Sequence, residues 1–414
     1  MALQQNSMPA VKPKLFYGWI IVTAACLVIL TMYGTLATFG IFFESMLAEF
    51  GWSRAAVAAA LSLVIVVRAS LYMITGRLTD RYGPRAVVTT CGLLLGLGYV
   101  LMSRISAVWH FYLLYILVGV GMSSAWIPQV STVARWFEKR RGLAISLAGA
   151  GEGLGIVLMV PAANWFISVY DWRSSYLAVG IFGAIVITTA AQFLKRDPKK
   201  MGLLPYGAGE VAESPAAPPV RGLTLREAAG TGELWLLCAV YLSFLFGLDT
   251  VMAHIVVYAV GLGTSPAGAA SILATIGGVA VIGRLAMGLF ADRAGSKLAI
   301  ILCLALSTLA WLWLQQANAG WMLYPFAVVF GFVFGGILVQ FPLIIAQRFG
   351  LTAHGAIMGV VSFVAMTLGA SGPVLVGRLF DISGSYRVGF LICGAASALG
   401  LILALFSRPV QRAK

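Results

Sequence analysis

Charged residues are scarce in this sequence. Only 10% of the 414 residues are Asp, Glu, Lys or Arg, whereas 60% are hydrophobic and the mean hydropathy is +0.95. Soluble domains average about 25% charged and about 45–50% apolar residues. No soluble core could bury this much apolar surface, so the composition excludes a soluble globular protein and predicts a chain surrounded by lipid.

Histidine, cysteine and acidic residues are also few, with 3 His, 5 Cys and 14 Asp plus Glu. The cysteines all lie in apolar runs, and their spacing is neither that of a disulfide framework nor that of a metal site. The sequence shows no phosphate-binding loop and no nucleophile–base set. We therefore expect no enzyme activity and no bound metal or cofactor.

Long apolar runs are abundant instead. A membrane-spanning helix needs about 20 apolar residues, and twelve candidate runs follow one another at 17–43, 55–75, 86–103, 107–134, 142–168, 174–194, 233–261, 267–290, 298–316, 320–347, 354–379 and 387–407. If both termini are cytoplasmic, cytoplasmic segments hold 21 of the 28 Lys and Arg and outer segments hold 5, which satisfies the positive-inside rule. The cations are spread over many short loops without a nucleic-acid-binding motif, so the net charge of +14 indicates topology rather than nucleic-acid binding. We expect a multi-pass protein of the plasma membrane, or of the inner membrane if the cell is bacterial.

A short charged motif occurs twice. Residues 76–85 read GRLTDRYGPR and residues 288–297 read GLFADRAGSK, and each copy follows a long apolar run as a predicted tight turn. A motif repeated once per half predicts two similar six-helix bundles in an all-α fold. Residues 195–230 are rich in Pro, Gly and Ala and indicate a cytoplasmic linker with a short surface helix near 223–229. The predicted units are an N-terminal bundle (1–194), this linker (195–230) and a C-terminal bundle (231–414).

These features resemble the major facilitator superfamily, in which two pseudo-symmetric six-helix bundles rock to give alternating access. Residues 136–155, WFEKRRGLAISLAGAGEGLG, resemble the entry to the fifth helix of the monocarboxylate transporter family. The start of span 1, FYGW at 16–19, is similar to that family's Gly-Trp motif, without its acidic residue. RLAMG at 284–288 is similar to the segment with the family's substrate-binding arginine. The resemblance implies a proton symporter of the bacterial lactate or pyruvate type, with Arg284 as the carboxylate ligand.

The chain departs from that family at two positions. Mammalian members carry a lysine in the first helix where this chain has Ala37, and an aspartate one turn before the span-8 arginine where it has Ala280. Both positions serve proton coupling in those relatives. The resemblance therefore implies anion binding more firmly than it identifies the proton carrier.

Two arginines lie inside predicted spans, at a cost of roughly 2.5–3.5 kcal/mol each on insertion scales. Arg284 shares a helix face with Gly277 and Val281, and this face of mostly small residues leaves room for a ligand. Its planar guanidinium can hold a carboxylate through two parallel hydrogen bonds. Arg68 is the repeat counterpart of Ala280 and is expected at similar depth. Each arginine is predicted to bind substrate, with a structural tie to a neighbouring helix as the alternative.

Asp249 and Glu152 are the two carboxylates well inside the predicted spans, and they are the candidates for proton coupling. Burial disfavours a charged carboxylate and a nearby arginine favours it, so such a group can be tuned to accept a proton. In the superfamily, spans 5 and 8 face each other across the two halves, which implies that Glu152 approaches Arg284. A purely structural role for each carboxylate stays open.

Other polar residues complete the predicted site. Candidate substrate ligands in or near the cavity-type spans are Tyr33, Gln129, His254 and Gln340. Plain hydrogen bonding between helices would also explain each of them. In the repeated motif, Asp80 is expected to accept hydrogen bonds from a helix end, and the motif residues are predicted to latch access states without touching substrate. These gating residues are Asp80, Arg81, Arg85, Asp292 and Arg293.

The sequence therefore predicts a secondary transporter that moves a small monocarboxylate together with a proton. An anion that crosses alone works against a negative-inside potential at ~2.3 kcal/mol per 100 mV, and an accompanying proton cancels that cost. We expect it to work as a monomer. A dicarboxylate or formate-type anion exchanger, similar to an oxalate transporter, would agree with the cavity arginines Arg68 and Arg284. A non-transporting membrane sensor is the alternative of another class.

Overall fold

Twelve long apolar helices, each long enough to cross a membrane, make up most of the molecule. The computed structural model describes residues 16–208 and 222–407 and contains no β-strand among them. The predicted basic tail at 1–14, much of the predicted linker and the last residues of the chain lie outside the described residues. Six spans precede the gap in the description and six follow it, as predicted.

The spans follow the predicted order. Spans 1 to 6 comprise the helices Tyr17–Ala37 with Phe39–Phe50, Arg54–Tyr82, Pro84–Met102, Val108–Met122 with Ile127–Trp136, Arg141–Gly149 with Gly151–Val169, and Trp172–Phe193. Span 1 itself ends at Phe43, so the last turns of the helix Phe39–Phe50 lie outside the membrane segment. Spans 7 to 12 comprise Gly232–Gly261, Pro266–Ala294, Ser296–Leu314, Leu323–Phe349, His354–Gly369 with Ser371–Ser383, and Arg387–Phe406. Short helices at Pro198–Met201, Leu225–Ala229 and Gly320–Met322 lie between spans. The second of these is the surface helix predicted near 223–229, and Thr224 and Glu227 cap it reciprocally.

The repeated motif is more helical than the predicted tight turn. Span 2 continues to Tyr82 and span 8 to Ala294, several residues beyond the ends of the apolar runs. Hydropathy marks where lipid ends, but backbone hydrogen bonds continue until a residue leaves the helical conformation. Gly83 (φ 91°) and Gly295 (φ 86°) do so, in a region that favours glycine. The two copies of the motif lie on one side of the molecule, which we call the basic face; the other side is the opposite face.

Spans 5 and 11 each consist of two helices separated by one residue, Ala150 and Ala370, whose backbone angles stay in the right-handed helical region. They are the fifth spans of their respective halves, so the two breaks occupy equivalent positions in the internal repeat. Glycine-rich sequence surrounds the first break, in Gly149-Ala150-Gly151, where the helix loses stability relative to alanine. The break in span 5 lies two residues before Glu152.

The halves meet at two close helix crossings near the basic face. Span 5 crosses span 8 at Gly142 and Gly288, and span 2 crosses span 11 at Gly76 and Gly355. At each of these four glycines a Cβ atom would collide with an atom of the facing helix. Small residues allow such backbone approach in membrane helices. The two crossings are related by the repeat, since each pairs a motif-bearing span of one half with a broken span of the other.

One aspartate from each motif reinforces each crossing. The Asp292 carboxylate accepts hydrogen bonds from the backbone N–H groups of Gly142 (2.6 Å) and Leu143 (3.0 Å) at the start of span 5. The Asp80 carboxylate accepts one from Ala356 N–H (2.9 Å) at the start of span 11. A negative charge at a helix N-terminus stabilises it, because unpaired N–H groups point outward there. These bonds therefore hold the halves together at the basic face.

Span 8 is open toward the opposite face. A Cβ atom at Gly277, on the face of span 8 that carries Arg284, would meet no atom within 4 Å. Span 10 covers the adjoining face, where Ala280 packs against Gly335. Span 8 is therefore open around Gly277, about two helical turns before Arg284 on the side of the opposite face.

Candidate functional site

An ion pair joins spans 5 and 8 at the level where span 5 breaks. Arg284 Nη2 donates a hydrogen bond to Glu152 Oε2 at 2.8 Å, and Arg284 Nη1 donates to the carbonyl oxygen of Gly149. Residues on both sides of the break at Ala150 therefore bond to the guanidinium, one through a backbone carbonyl and the other through a carboxylate. Span 8 is fixed there by Ser146, whose Oγ donates to the backbone carbonyl of Arg284 at 2.8 Å.

The two members of this ion pair differ in burial. The Arg284 side chain is 5% exposed, whereas that of Glu152 is 24% exposed. The Trp126 ring covers the guanidinium, with its centroid 5.7 Å from Cζ. Small residues around Arg284 suggested space for a ligand, but the structure shows that Glu152 fills that space in this conformation. Solvent therefore reaches the pair from the Glu152 side.

One donor of Arg284 is unused. Its Nε atom is buried and has no hydrogen-bond partner among the described residues. An unsatisfied buried donor costs about 1–3 kcal/mol. A carboxylate that approached Nε and Nη2 together would form the two parallel bonds that guanidinium groups favour.

Arg68 lies in span 2 in a different environment. Its guanidinium carbon is 5.7 Å from the centroid of the Tyr33 ring and 5.9 Å from that of the Tyr72 ring. Within residues 16–208 and 222–407 we find no ion pair and no hydrogen bond that uses its side chain, and its Nε is buried without a partner. The residue as a whole is partly exposed. Both Glu152 and Asp249 lie within Coulombic reach of it.

The four ionisable groups predicted inside the spans therefore belong to one cluster. Arg284 contacts Glu152, and Arg68 interacts electrostatically with Glu152 and Asp249. Asp249 is partly exposed on span 7, and Tyr241 of the same span interacts electrostatically with Glu152 and Asp249. With both carboxylates ionised, the cluster carries two positive and two negative charges and is neutral.

Three of the predicted substrate ligands are engaged away from this cluster. His254 contacts the Pro373 carbonyl (Nε2 to O, 3.0 Å) and the Tyr386 hydroxyl (3.4 Å) within the C-terminal half. Gln129 donates to the Ser124 carbonyl at 3.2 Å, and Gln340 donates to backbone carbonyls of spans 8 and 10. Both glutamines are fully buried, and each Oε1 has no partner within the described part of the chain.

The predicted gating residues divide into two groups. Asp80 and Asp292 join the halves, and Asp80 also forms a 2.8 Å ion pair with Arg135 in which both side chains are 9% exposed. The side chains of Arg81, Arg85 and Arg293 are exposed. The Arg81 guanidinium lies over the Tyr82 ring at 5.2 Å.

Several groups of the cluster were not predicted from the sequence. They are Trp126, Tyr72, Tyr241 and the backbone carbonyl of Gly149. Tyr72 could have been found, because it lies four residues after Arg68 and so on the same helix face. The Gly149 carbonyl depends on the helix break, and no side chain signals it. Within the described residues there is also no group of three His, Cys, Asp or Glu that could hold a metal ion.

Twelve spans in two repeat-related halves, with a charged cluster between the halves, define a multi-pass membrane transporter. The family model of the Major Facilitator Superfamily matches residues 25–373, and the chain belongs to this superfamily. A solved structure of the proton:xylose symporter XylE bound to 6-bromo-6-deoxy-D-glucose superposes with a TM-score of 0.72. The match covers 95% of this chain and 96% of that one at 15% identity, and it confirms the predicted fold.

Similar curated proteins are monocarboxylate transporters. Mouse monocarboxylate transporter 12 is 26% identical over 96% of this chain and 87% of its own length. Rat monocarboxylate transporter 13 is 27% identical over 92% and 86%, and human monocarboxylate transporter 11 is 29% identical over 94% and 82%. These relatives confirm the family resemblance, and they are transporters rather than enzymes.

Proposed function

We propose that this transporter carries small monocarboxylates, of the size of L-lactate or pyruvate, together with a proton. The observation that carries the proposal is the ion pair between Glu152 and Arg284 across the two halves. A carboxylate of the protein occupies the arginine that the family resemblance assigns to the substrate carboxylate. The names of the similar proteins support a monocarboxylate as the substrate.

In the proposed cycle, the Glu152 carboxylate occupies Arg284 whenever no substrate carboxylate is bound there. Protonation of Glu152 removes its negative charge and weakens its bond to Arg284. The substrate carboxylate then takes its place and bonds to Nε and Nη2, which also satisfies the buried Nε. Asp249 is the second candidate for the proton site.

Charge balance supports one proton for each substrate anion. The cluster is neutral when Arg68, Arg284, Glu152 and Asp249 are all ionised. Addition of a monocarboxylate leaves one uncompensated negative charge in a low-dielectric region, which is costly. One proton on Glu152 restores neutrality, whereas a dicarboxylate would need two.

Alternating access would follow from the two crossings at the basic face. Opening that face breaks the bonds of Asp80 to span 11 and of Asp292 to span 5, while closure at the opposite face brings the outer parts of the halves together. We propose a monomer in the plasma membrane, or in the inner membrane of a bacterial cell, with the basic face and both termini in the cytoplasm.

Uptake of labelled lactate into proteoliposomes tests the proposal. An inward proton gradient should accelerate uptake, and unlabelled pyruvate should compete while oxalate and malate should not. Counterflow of a dicarboxylate that ignores the gradient would indicate an anion exchanger instead. Binding of lactate without flux would indicate a sensor.

A further inference from the structure

The two arginines of the cluster differ in burial and in ion pairing. Arg284 is 4% exposed and already bonded to Glu152, whereas Arg68 is partly exposed and has no ion-pair partner among the described residues. An anion that reaches this cluster therefore meets one cation without an ion-pair partner and another that is already paired. Since isolated charges inside membrane spans are costly, an arginine kept in this state needs an explanation.

We propose that Arg68 is the first binding site of the substrate carboxylate, and that the anion held there displaces Glu152 from Arg284. This inference rests on the proposed function and adds an order of events to it. The substrate binds the N-terminal half first, at Arg68 in span 2. It engages the C-terminal half, at Arg284 in span 8, only after Glu152 has been released.

The surroundings of Arg68 agree with a binding group rather than a structural tie. A structural arginine would be expected to end on a carboxylate or backbone carbonyl, whereas the Arg68 guanidinium lies over the rings of Tyr33 and Tyr72. Aromatic faces hold a guanidinium in place by cation–π attraction and leave its N–H donors free for another partner. Burial of Nε without a partner leaves a donor that an incoming carboxylate can satisfy.

The displacement of Glu152 from Arg284 follows from the charged and titratable groups that face Glu152. Groups from four other spans interact with this carboxylate, namely Tyr33 of span 1, Arg68 of span 2, Tyr241 of span 7 and Arg284 of span 8. Asp249 of span 7 interacts with Arg68 in turn. A substrate carboxylate on Arg68 cancels one of the two cations that stabilise ionised Glu152 and adds a like charge nearby. Both changes favour protonation of Glu152 and loss of its bond to Arg284.

Transport kinetics of Arg68 variants test this order. Arg68→Gln should raise the lactate KM about tenfold or more, since it removes a charge-assisted bond made on first contact, with a smaller effect on the maximal rate. Arg68→Lys keeps the positive charge but loses the planar guanidinium. Its lactate KM should therefore lie between that of the wild type and that of Arg68→Gln. Arg104→Gln removes an exposed cation between spans 3 and 4 and is the matched control, with an unchanged KM.

Calorimetry with purified protein supplies a second measurement. Arg284→Ala should still bind lactate weakly through Arg68 while its transport is lost, and the double variant with Arg68→Gln should not bind. If Arg68→Gln does not fold, the KM of Arg68→Lys and the binding by Arg284→Ala decide the matter. A wild-type KM in the Arg68 variants, together with no binding by folded Arg284→Ala, would overturn the order proposed here. Absence of lactate transport by the wild-type protein would instead overturn the proposed function.

Discussion

Glu152 and Arg284 belong to different halves of the protein and form an ion pair with 2.8 Å between Oε2 and Nη2. Only the Glu152 side of the pair is open to solvent, because Arg284 is covered by Trp126 and the backbone around Gly149. A proton can therefore reach the carboxylate more easily than a substrate can reach the guanidinium. This difference in access makes protonation the first change at the pair.

Glu152→Gln should separate transport from the proton gradient. Glutamine resembles protonated glutamic acid in shape and is always neutral, so Arg284 is permanently available to the substrate. Lactate exchange across proteoliposome membranes should continue. The rates with and without an inward proton gradient should be nearly equal.

The control for that variant is Glu138→Gln, which removes a carboxylate from the loop between spans 4 and 5 on the basic face. It should keep the full response to the gradient. A gradient response in Glu152→Gln equal to that of the wild type would exclude Glu152 as the proton carrier, and the same loss in Asp249→Asn alone would assign that role to Asp249.

Gly142→Val should shift the protein away from the conformation described here. The new side chain would collide with the Gly288 backbone at the crossing of spans 5 and 8, so closure at the basic face becomes unfavourable. A cysteine introduced at Gly277, in a background without the five native cysteines, should react more slowly with an impermeant maleimide applied from the opposite face. Gly40→Val is the matched control, because no atom lies within 4 Å of a Cβ there. Equal labelling rates in both variants would contradict the assignment of the crossing as a gate.

Asp80→Asn should destabilise the closed basic face more than Asp292→Asn. The Asp80 side chain is only 9% exposed, and its neutralisation removes the closer of the two ion pairs of Arg135 and weakens the bond to Ala356, at a cost of about 1–3 kcal/mol. Asp292 is exposed, so solvent can replace much of its interaction. The melting temperature in detergent measures the difference. A larger decrease for Asp292→Asn than for Asp80→Asn would contradict the prediction.

Glu49 should stabilise the opposite face of the N-terminal half at neutral pH. Hydrogen bonds from Arg173 (2.8 Å) and then from Trp172 (2.5 Å) lower the pKa of the Glu49 carboxyl. A lowered pKa means that the stabilisation is present above the ordinary glutamate range near ~4.3 and disappears as the pH falls through the lowered value. The Tm of Glu49→Gln should therefore lie below that of the wild type at pH 7, and the two should converge once the pH has fallen below the lowered pKa. A gap that widens on acidification would show that the ion pair does not govern this effect.

Much of the fold follows from simple patterns in the sequence. Twelve apolar runs predict twelve spans, and the repeated motif predicts that Asp80 and Asp292 lie at equivalent places. The family resemblance adds that Glu152 approaches Arg284, and the two residues are indeed in contact. The spans and the two aspartate positions are predictable because they depend on long stretches or on a repeat, where many residues contribute to one signal.

The contacts within the site depend on how the helices pack against one another, so they could not be predicted from the sequence in the same way. The break at Ala150 aims a backbone carbonyl at Arg284, and no side chain encodes that direction. Trp126 belongs to another span, 158 residues away in sequence, so its contact with Arg284 follows only from packing. His254 has the residue type of a binding group but points toward Pro373 and Tyr386, since a helix of 30 residues presents several faces to different neighbours.

Infrared difference spectra of the purified transporter, recorded with and without lactate, test most directly whether substrate replaces Glu152 on Arg284. Addition of lactate should produce the carbonyl band of a newly protonated carboxylic acid. That band should persist in Asp249→Asn and be absent in Glu152→Gln. A wild-type protein that binds lactate without this band, or that keeps the band when Glu152 is glutamine, would contradict the account.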